Sequence, residues 1–320
     1  MTTPTTSTSP PPAGEGTSTT RVARSGRVVA GSVLAGLVLA VLWSHVFVDQ
    51  VIAGGIANPV FGGDIAEIAI TGTGMAVAFA FMTGVAGMFT ACNIAVFSAL
   101  APMSASRQSA AHRVAVLLRP MGWLLLGAVL VAGLYGAVGV FVGDVSPQLS
   151  EARLGDPETG LPVRLVQAAV VFGLIGAIMV WRGLAYVGRA PNPLAGVFAR
   201  RPAAEMLFLG GLIGAFLIGR PFPPFRTLYA YAAETSNPLL GFVTFALQSA
   251  GNVLGVAVIF LLVVVASRGR FQNWLMATPG RAERFAAAAF LVVGTFFLAY
   301  WVLKMGYRAD VMWWPTLPYH

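Results

Sequence analysis

Long apolar stretches alternate with short polar loops along almost the whole chain. A membrane-spanning helix needs about 20 apolar residues, and by that rule the sequence predicts seven spans. They lie at 28–47, 75–101, 118–142, 163–181, 204–220, 238–267 and 283–303. The pattern predicts an all-α polytopic membrane protein, in which each buried polar group needs a partner or a function.

The composition agrees with this prediction. Hydrophobic residues make up 57% of the chain, charged residues 10%, and the mean hydropathy is +0.78. Soluble domains carry about 25% charged residues. The composition therefore excludes an ordinary soluble enzyme.

The N-terminal segment, residues 1–27, is rich in Thr, Ser, Pro and Gly and is predicted to be a disordered cytoplasmic tail. The apolar run at 28–48 follows Arg21, Arg24 and Arg27, as in a secretory signal. It is too long for such a signal, and no small-residue cleavage pattern closes it. We interpret it as an uncleaved transmembrane helix that precedes the main body.

Charge asymmetry predicts the orientation, because Lys and Arg accumulate in cytoplasmic loops. With the N-terminus inside, 14 of the 20 basic residues are cytoplasmic. The six on the outer side are Arg153, Arg164, Arg220, Arg226, Lys304 and Arg308. Residues 304–320 then form an extracytoplasmic tail of a cell-membrane protein. The net charge of +8 follows from this topology and gives no support to nucleic-acid binding.

The two halves of the chain share a short sequence echo. Gly84-Val-Ala-Gly87-Met-Phe89 in the second span resembles Gly211-Leu-Ile-Gly214-Ala-Phe216 in the fifth, and a polar break follows each. The predicted directions of these spans are opposite. The segments 75–181 and 204–303 are therefore predicted to be inverted three-helix repeats, although glycines four residues apart also serve plain helix packing.

A family resemblance rests on both halves. The first half has a Gly-rich helix reaching Cys92, with Pro102 beyond it. The second half contains Gly219-Arg-Pro-Phe-Pro-Pro-Phe-Arg-Thr-Leu, then Asn237-Pro-Leu-Leu-Gly241, then Gln248-Ser-Ala-Gly251-Asn252. Together, over about 75–303, these segments resemble the CcdA/DsbD transmembrane family of cytochrome c biogenesis and thiol–disulfide carriers. The resemblance implies transmembrane thiol redox transfer with an extracytoplasmic thioredoxin-like or cytochrome c maturation partner.

The cysteine count departs from that family. Its members are understood to use one cysteine in each half, whereas this chain has a single cysteine, Cys92, and Pro223 or a neighbour stands at the second position. An intramolecular disulfide is excluded. Either a partner supplies the second thiol, or two copies pair through Cys92, or the scaffold serves another transport task.

Cys92 is the candidate redox thiol. Its neighbours Thr90 and Asn93 are polar and could stabilise a thiolate or line a cavity. The alternative is a small packing residue, the commonest role of a thiol in a membrane helix.

Arg220 and Arg226 lie at the outer end of the fifth span, against the positive-inside trend. Between them Pro221, Pro223 and Pro224 lack N–H donors and are expected to break the helix. The arginines either snorkel to head groups, grip an anionic substrate group, or pair with Glu234, eight residues after Arg226.

Gln248 and Asn252 share one face of the sixth span, because they are four residues apart. They are predicted either to bond to the broken segment or to cargo, or only to hold helices together. The three histidines form no metal-ligand pattern, and no nucleotide-binding or hydrolase motif is present. We therefore predict no metal and no cofactor.

Three functions remain open. The first is single-thiol redox transfer or cytochrome c maturation through Cys92 and a partner. The second is a small-solute or ion permease that uses the arginine-lined broken helix. The third is an assembly factor that scaffolds a membrane complex without catalysis.

Overall fold

The computed structural model of the protein describes residues 16–88, 93, 110–156, 158–267 and 270–315. Its α-helices are α1 Gly16–Leu42, α2 Gly54–Phe61, α3 Thr73–Ala86, α4 Ala110–Val142, α5 Val163–Tyr186, α6 Ala195–Arg200, α7 Pro202–Gly219, α8 Pro223–Glu234, α9 Pro238–Ala266, α10 Arg270–Met276, α11 Arg281–Phe297 and α12 Lys304–Arg308. Two π-helical segments are π1 Phe47–Ala53 and π2 Leu298–Leu303. A short 3-10 helix covers Gly143–Val145, and β1 Arg153–Leu154 pairs antiparallel with β2 Leu161–Pro162.

The described residues include five helices that are long and apolar enough to cross a membrane. The count becomes six if α1 and the helical segment 47–61, which bend by 77° at a short break, form one span. The prediction of a multi-pass helical membrane protein is therefore confirmed. The count of seven stays a prediction, since α3 has only 14 residues and most of 89–101 lies outside the described part.

The N-terminal region is more helical than the sequence suggested. Helix α1 begins at Gly16, inside the segment predicted to be disordered. Once an apolar helix is nucleated, each further residue adds one hydrogen bond, which favours extension into polar sequence. The stretch between the first two predicted spans is also partly helical, since it contains π1 and α2, which both contact α3.

Glycines let neighbouring helices approach closely. In α3 and α9, Gly84 lies against the carbonyl of Gln248, and Met88 lies against Gly255. In both contacts the residue numbers rise together, so α3 and α9 run parallel.

Helices α4 and α7 repeat this arrangement. Gly210 lies against the carbonyl of Leu124, and Gly214 lies against Val131. These numbers also rise together, so α4 and α7 are parallel to each other.

Two other large contacts are antiparallel. Between α4 and α9, Gly241 contacts Val140 while Gly136 contacts Phe245. Between α5 and α11 the contacts are Gly173 with Val302, Gly176 with Gly294, and Gly183 with Leu291. It follows that α3 and α7 run in opposite directions, as do α4 and α9, and α5 and α11.

The two parallel crossings are related residue by residue. Three contacts between α3 and α9 each have a counterpart between α7 and α4. The contact of Gly84 with Gln248 corresponds to that of Gly210 with Leu124. In the same way, Phe81 with Gly251 corresponds to Leu207 with Gly127, and Met88 with Gly255 corresponds to Gly214 with Val131. The sequence echo had aligned Gly84 with Gly211. The contacts instead match Gly84 to Gly210, because packing follows the face of the helix that meets its neighbour.

At the opposite end of the bundle from π1, an ion pair joins α5 to the first turn of α7. Arg182 donates to Glu205, and its guanidinium lies over the rings of Tyr186 and Phe198. The sequence had placed Arg182 in a cytoplasmic loop. The structure corrects this, because α5 continues to Tyr186 and buries Arg182 against a counter-ion.

Candidate functional site

The helix break after α7 is the starting point of the site. Helix α7 ends at Gly219, Arg220 and Phe222 are extended, and α8 begins at Pro223. The carbonyl groups freed at a helix end need donors. Gln167 donates to the carbonyl of Ile218 at 2.8 Å, and Gln148 donates to that of Arg220 at 3.2 Å.

Arg220 is buried beneath this break. Its Nη2 donates to Asp49 Oδ1 at 2.6 Å, and its Nη1 donates to the carbonyl of Gly87 at 3.4 Å, next to the end of α3. The guanidinium also lies 4.5 Å from the ring centre of Phe222 and 5.4 Å from that of Phe225. A planar cation next to aromatic rings is well placed for charge-assisted bonding to an oxyanion.

A cavity of about 260 Å³ opens beside Arg220. Four helix ends surround it. They are the C-terminal end of α1, which is followed by π1, the N-terminal end of α5, the C-terminal end of α7, and the C-terminal end of α11, which continues into π2 and α12. These are the helix ends that the arginine distribution assigns to the outer side.

The charge of the cavity is unbalanced. Four cationic side chains line it, namely Arg164, Arg220, Lys304 and Arg308. Asp49 is the only acidic residue among the lining residues. In the part of the chain that the structure describes, Asp49 pairs with Arg220, and no ion pair reaches the other three cations. The cavity therefore has a surplus of positive charge.

Most of the remaining wall is aromatic. Its lining rings belong to Trp43, Phe216, Phe222, Phe296, Phe297, Tyr300 and Trp301. Lys304 is 8% exposed, and its Nζ lies 4.5 Å from the ring centre of Tyr300. Apolar walls with a few placed charges are typical of small-molecule sites, so the cavity suits an anion that carries an apolar group.

A second polar group lies where α3 crosses α9. Asn93 donates to Asn252 Oδ1 at 2.6 Å and to the carbonyl of Met88 at 2.8 Å. One turn away, Gln248 donates to Thr83 Oγ1 at 3.2 Å. This cluster is connected to Arg220, since Met88 follows Gly87, whose carbonyl accepts from Arg220, but none of its residues lines the cavity.

The other predicted site residues divide into three groups. Pro221 lines the cavity, while Pro223 and Pro224 form the first turn of α8. Arg226 donates to the carbonyl of Gln148 at 3.2 Å, and partial burial with the neighbouring Arg164 lowers its pKa. Thr90, Cys92 and Pro102 lie outside the described residues.

Pairing with Glu234 was one of the alternatives for these arginines, and the described part of the chain does not show it. Glu234 is exposed at the end of α8, and no ion pair in the described part of the chain involves it. The segment after the break is helix α8. Eight residues of helix separate Arg226 from Glu234 by about 12 Å, and Asp49 supplies the carboxylate for Arg220 instead.

Sequence reasoning missed Asp49, Arg164, Lys304 and Arg308 as site residues. A signal was present, because three of them belong to the six basic residues that remained on the predicted outer side. Four of those six converge on one cavity. Lys304 had been assigned to the tail, but α12 continues the last helix and keeps Lys304 in the wall.

Comparison with known proteins gives no further identification. No family model matches the chain, and neither characterised proteins nor solved structures give a significant match. In the described residues, no group of three His, Cys, Asp or Glu side chains is arranged to hold a metal ion.

Proposed function

We propose that the protein is a membrane carrier for an organic anion that bears an aromatic or other apolar group. The observation that carries this proposal is the cavity at the break of α7, where four cations face seven aromatic rings and only one acid. Arginines that only contact lipid head groups do not require an aromatic wall around them. Arg220 is also too deeply buried to be a head-group ligand.

The architecture supports a carrier. The opposite directions of α3 and α7, α4 and α9, and α5 and α11 are those of two inverted three-helix repeats, and the reciprocal glycine contacts agree with a two-fold relation between them. Carriers of this kind bind substrate at broken helices near the repeat interface and alternate between two openings. Here the cavity lies at the break of α7, and Arg220 in its wall also bonds to Gly87 at the end of α3.

The arginine distribution supports a defined orientation for this carrier. The N-terminus would be cytoplasmic, the C-terminus extracytoplasmic, and the cavity would open outward in the cell membrane. A reporter that is active on only one side of the membrane, fused after His320, tests this orientation. Activity on the cytoplasmic side would reverse it.

Uptake into liposomes tests the carrier proposal. The purified full-length protein would be reconstituted and given labelled benzoate, benzenesulfonate, benzyl alcohol or inorganic phosphate. We expect uptake of at least one aromatic anion and none of benzyl alcohol. Arg220→Gln should lower that uptake by about tenfold or more, because a desolvated charge contact is lost.

A matched control is Arg153→Gln, which changes an exposed arginine of β1 that bonds to the carbonyl of Gly160 outside the cavity. Uptake should then match that of the original protein. Equal uptake of all probes by the original protein and by folded Arg220→Gln protein would contradict the proposal.

Thiol redox transfer is a second proposal, and the same inverted arrangement of helices is the observation that favours it. It depends on Cys92 with an extracytoplasmic thiol partner or a second copy of the chain. A membrane-impermeant maleimide, applied from each side with and without reductant, tests it. Labelling of Cys92 only after reduction supports a mixed disulfide, whereas equal labelling without reductant argues against one.

A further inference from the structure

The anion-binding arginine of the cavity already holds an anion that belongs to the protein. Asp49 bonds to Arg220 at 2.6 Å, with the aspartate side chain 26% exposed and the arginine side chain 8% exposed. The carboxylate therefore lies on the solvent side, and the guanidinium lies beneath it.

Asp49 comes from outside the paired helices of the two halves. It lies in π1, which follows α1 and a bend of 77°. The ion pair thus attaches a peripheral segment to the helix break at the centre of the site. Residues 49 and 220 are 171 positions apart in the chain.

We propose that the Asp49 carboxylate occupies the position of the ligand's own anionic group, and that a ligand carboxylate displaces it from Arg220. The inference rests on the proposed function and deepens it. It names the ligand class as carboxylates with an aromatic or alkyl body, and it makes π1 a built-in competitor.

The exchange is electrostatically reasonable. A buried guanidinium without a counter-ion is strongly unfavourable, so Arg220 has to be compensated both before and after ligand binding. Replacing one carboxylate by another preserves that compensation. Arg164, Lys304 and Arg308 supply attraction for the incoming anion, and the aromatic wall holds its apolar body.

The exchange also releases π1. In the resting arrangement Ala53 of π1 is fully buried, within a cluster that includes Phe79 of α3 and Phe222. Once Asp49 no longer bonds to Arg220, the ion pair that attaches π1 to the end of α7 is lost. Ligand binding is thereby coupled to exposure of the segment around Ala53.

Benzoate binding to the full-length protein in lipid nanodiscs tests the competition. The fluorescence of Trp43 and Trp301, which line the cavity, is the readout. Asp49→Asn should lower the dissociation constant for benzoate by about tenfold, with no change for benzyl alcohol. The double variant Asp49→Asn, Arg220→Gln should lose this gain, because the competition acts through Arg220.

Thermal unfolding supplies an independent readout. Asp49→Asn should lower the melting temperature, because Arg220 loses its counter-ion. Benzoate should raise the melting temperature of the Asp49→Asn variant by more than it raises that of the original protein. A lowered melting temperature that benzoate does not restore, with no gain in affinity, would make Asp49–Arg220 a structural pair only and overturn the inference.

A labelling experiment tests the release of π1 without mutating either residue of the ion pair. In a Cys92→Ser background, Ala53→Cys should react slowly with maleimide and several-fold faster with saturating benzoate. Ala76→Cys, at a fully buried position of α3, is the matched control and should stay slow in both conditions. An unchanged Ala53→Cys rate at saturation would overturn the inference.

The two proposals fail differently. If benzoate binds the original protein and Asp49→Asn equally well, Asp49 is not a competitor, but the anion carrier stands. If none of the aromatic anions binds or is taken up by either protein, both proposals fall.

Discussion

Gly210 of α7 lies directly against the main-chain carbonyl of Leu124 in α4, leaving no room for a Cβ atom. The adjacent Gly211 meets only Val131 Cγ2, at an ordinary 3.5 Å from an added Cβ. Two neighbouring glycines in one helix therefore have different roles. Of these two, Gly210 limits the distance between the helices, as Gly127 and Gly214 do elsewhere in the same crossing.

This difference predicts unequal effects of alanine at the two positions. Gly210→Ala should lower the free energy of unfolding by about 1–3 kcal/mol, because the helices must separate to admit a methyl group. Gly211→Ala should be neutral or slightly stabilising, because alanine favours a helix. Thermal unfolding in detergent measures both. Equal losses would show that the contact lies elsewhere on α7.

The matching position in the first half should behave in the same way. Gly84→Ala in α3 should be destabilising, because Gly84 lies against the carbonyl of Gln248 in the contact that corresponds to Gly210. Gly74→Ala, in open space at the start of the same helix, is its control. If Gly84→Ala were tolerated as well as Gly74→Ala, the two crossings would not be equivalent.

Lys304 should affect stability and binding in opposite directions. Its ammonium is largely buried, and no ion pair reaches it in the described part of the chain. Lys304→Met should raise the free energy of unfolding by about 1 kcal/mol, since a desolvated charge is removed. The same change should weaken benzoate binding by about fivefold. Arg153→Met, at an exposed position, should change neither quantity.

The ion pair at the opposite end of the bundle offers a test of stability alone. Glu205→Gln should cost about 2 kcal/mol, because Arg182 would stay buried without a counter-ion. The control is Glu283→Gln. Glu283 lies in the first turn of α11, as Glu205 lies in the first turn of α7, but it is exposed, so this change should lower the free energy of unfolding by less than about 1 kcal/mol.

Replacing Arg182 by Met in the Glu205→Gln background should recover most of the loss, since the uncompensated charge is removed as well. Chemical or thermal unfolding of the purified protein measures all of these variants. A double variant as unstable as Glu205→Gln would mean that Arg182 contributes mainly through its packing on Tyr186 and Phe198.

Gln148 should stabilise the break of α7. It is 2% exposed, and its amide donates to the carbonyl of Arg220. Gln148→Met keeps the size but removes the donor, so we expect a loss of about 1–2 kcal/mol in unfolding free energy. Gln50→Met, at an exposed position of π1, should change stability little. Loss of stability in both variants would point to a general effect of methionine.

Much of the helical arrangement could be predicted from the sequence, because lipid imposes strict rules. A run of apolar residues near 163–181 has to be helical in a bilayer, and α5 covers it. Its end was less predictable. Arg182 reads as a loop residue until Glu205, 23 positions later, is known to neutralise it.

The site could be predicted only in part. The prolines around Arg220 mark a break by their own chemistry, whatever surrounds them. The partner of Arg220 depends on tertiary structure, since Asp49 reaches it only through the bend after α1. Glu234 was the natural choice along the chain, but helix α8 carries it away from both arginines.

Both π-helical segments of the described chain border the cavity. π1 carries Asp49, and π2 carries Tyr300 and Trp301 just before Lys304. A π-helical turn encloses one residue more than an α-helical turn and occurs often at functional sites. Such a turn can arise by insertion of a single residue, which rotates every later side chain around the helix axis. One insertion in each of two ordinary helices would therefore be enough to place an acid and a cation in the wall of the same cavity, and deleting one residue from π2 would turn Lys304 away without shortening the helix by a full turn.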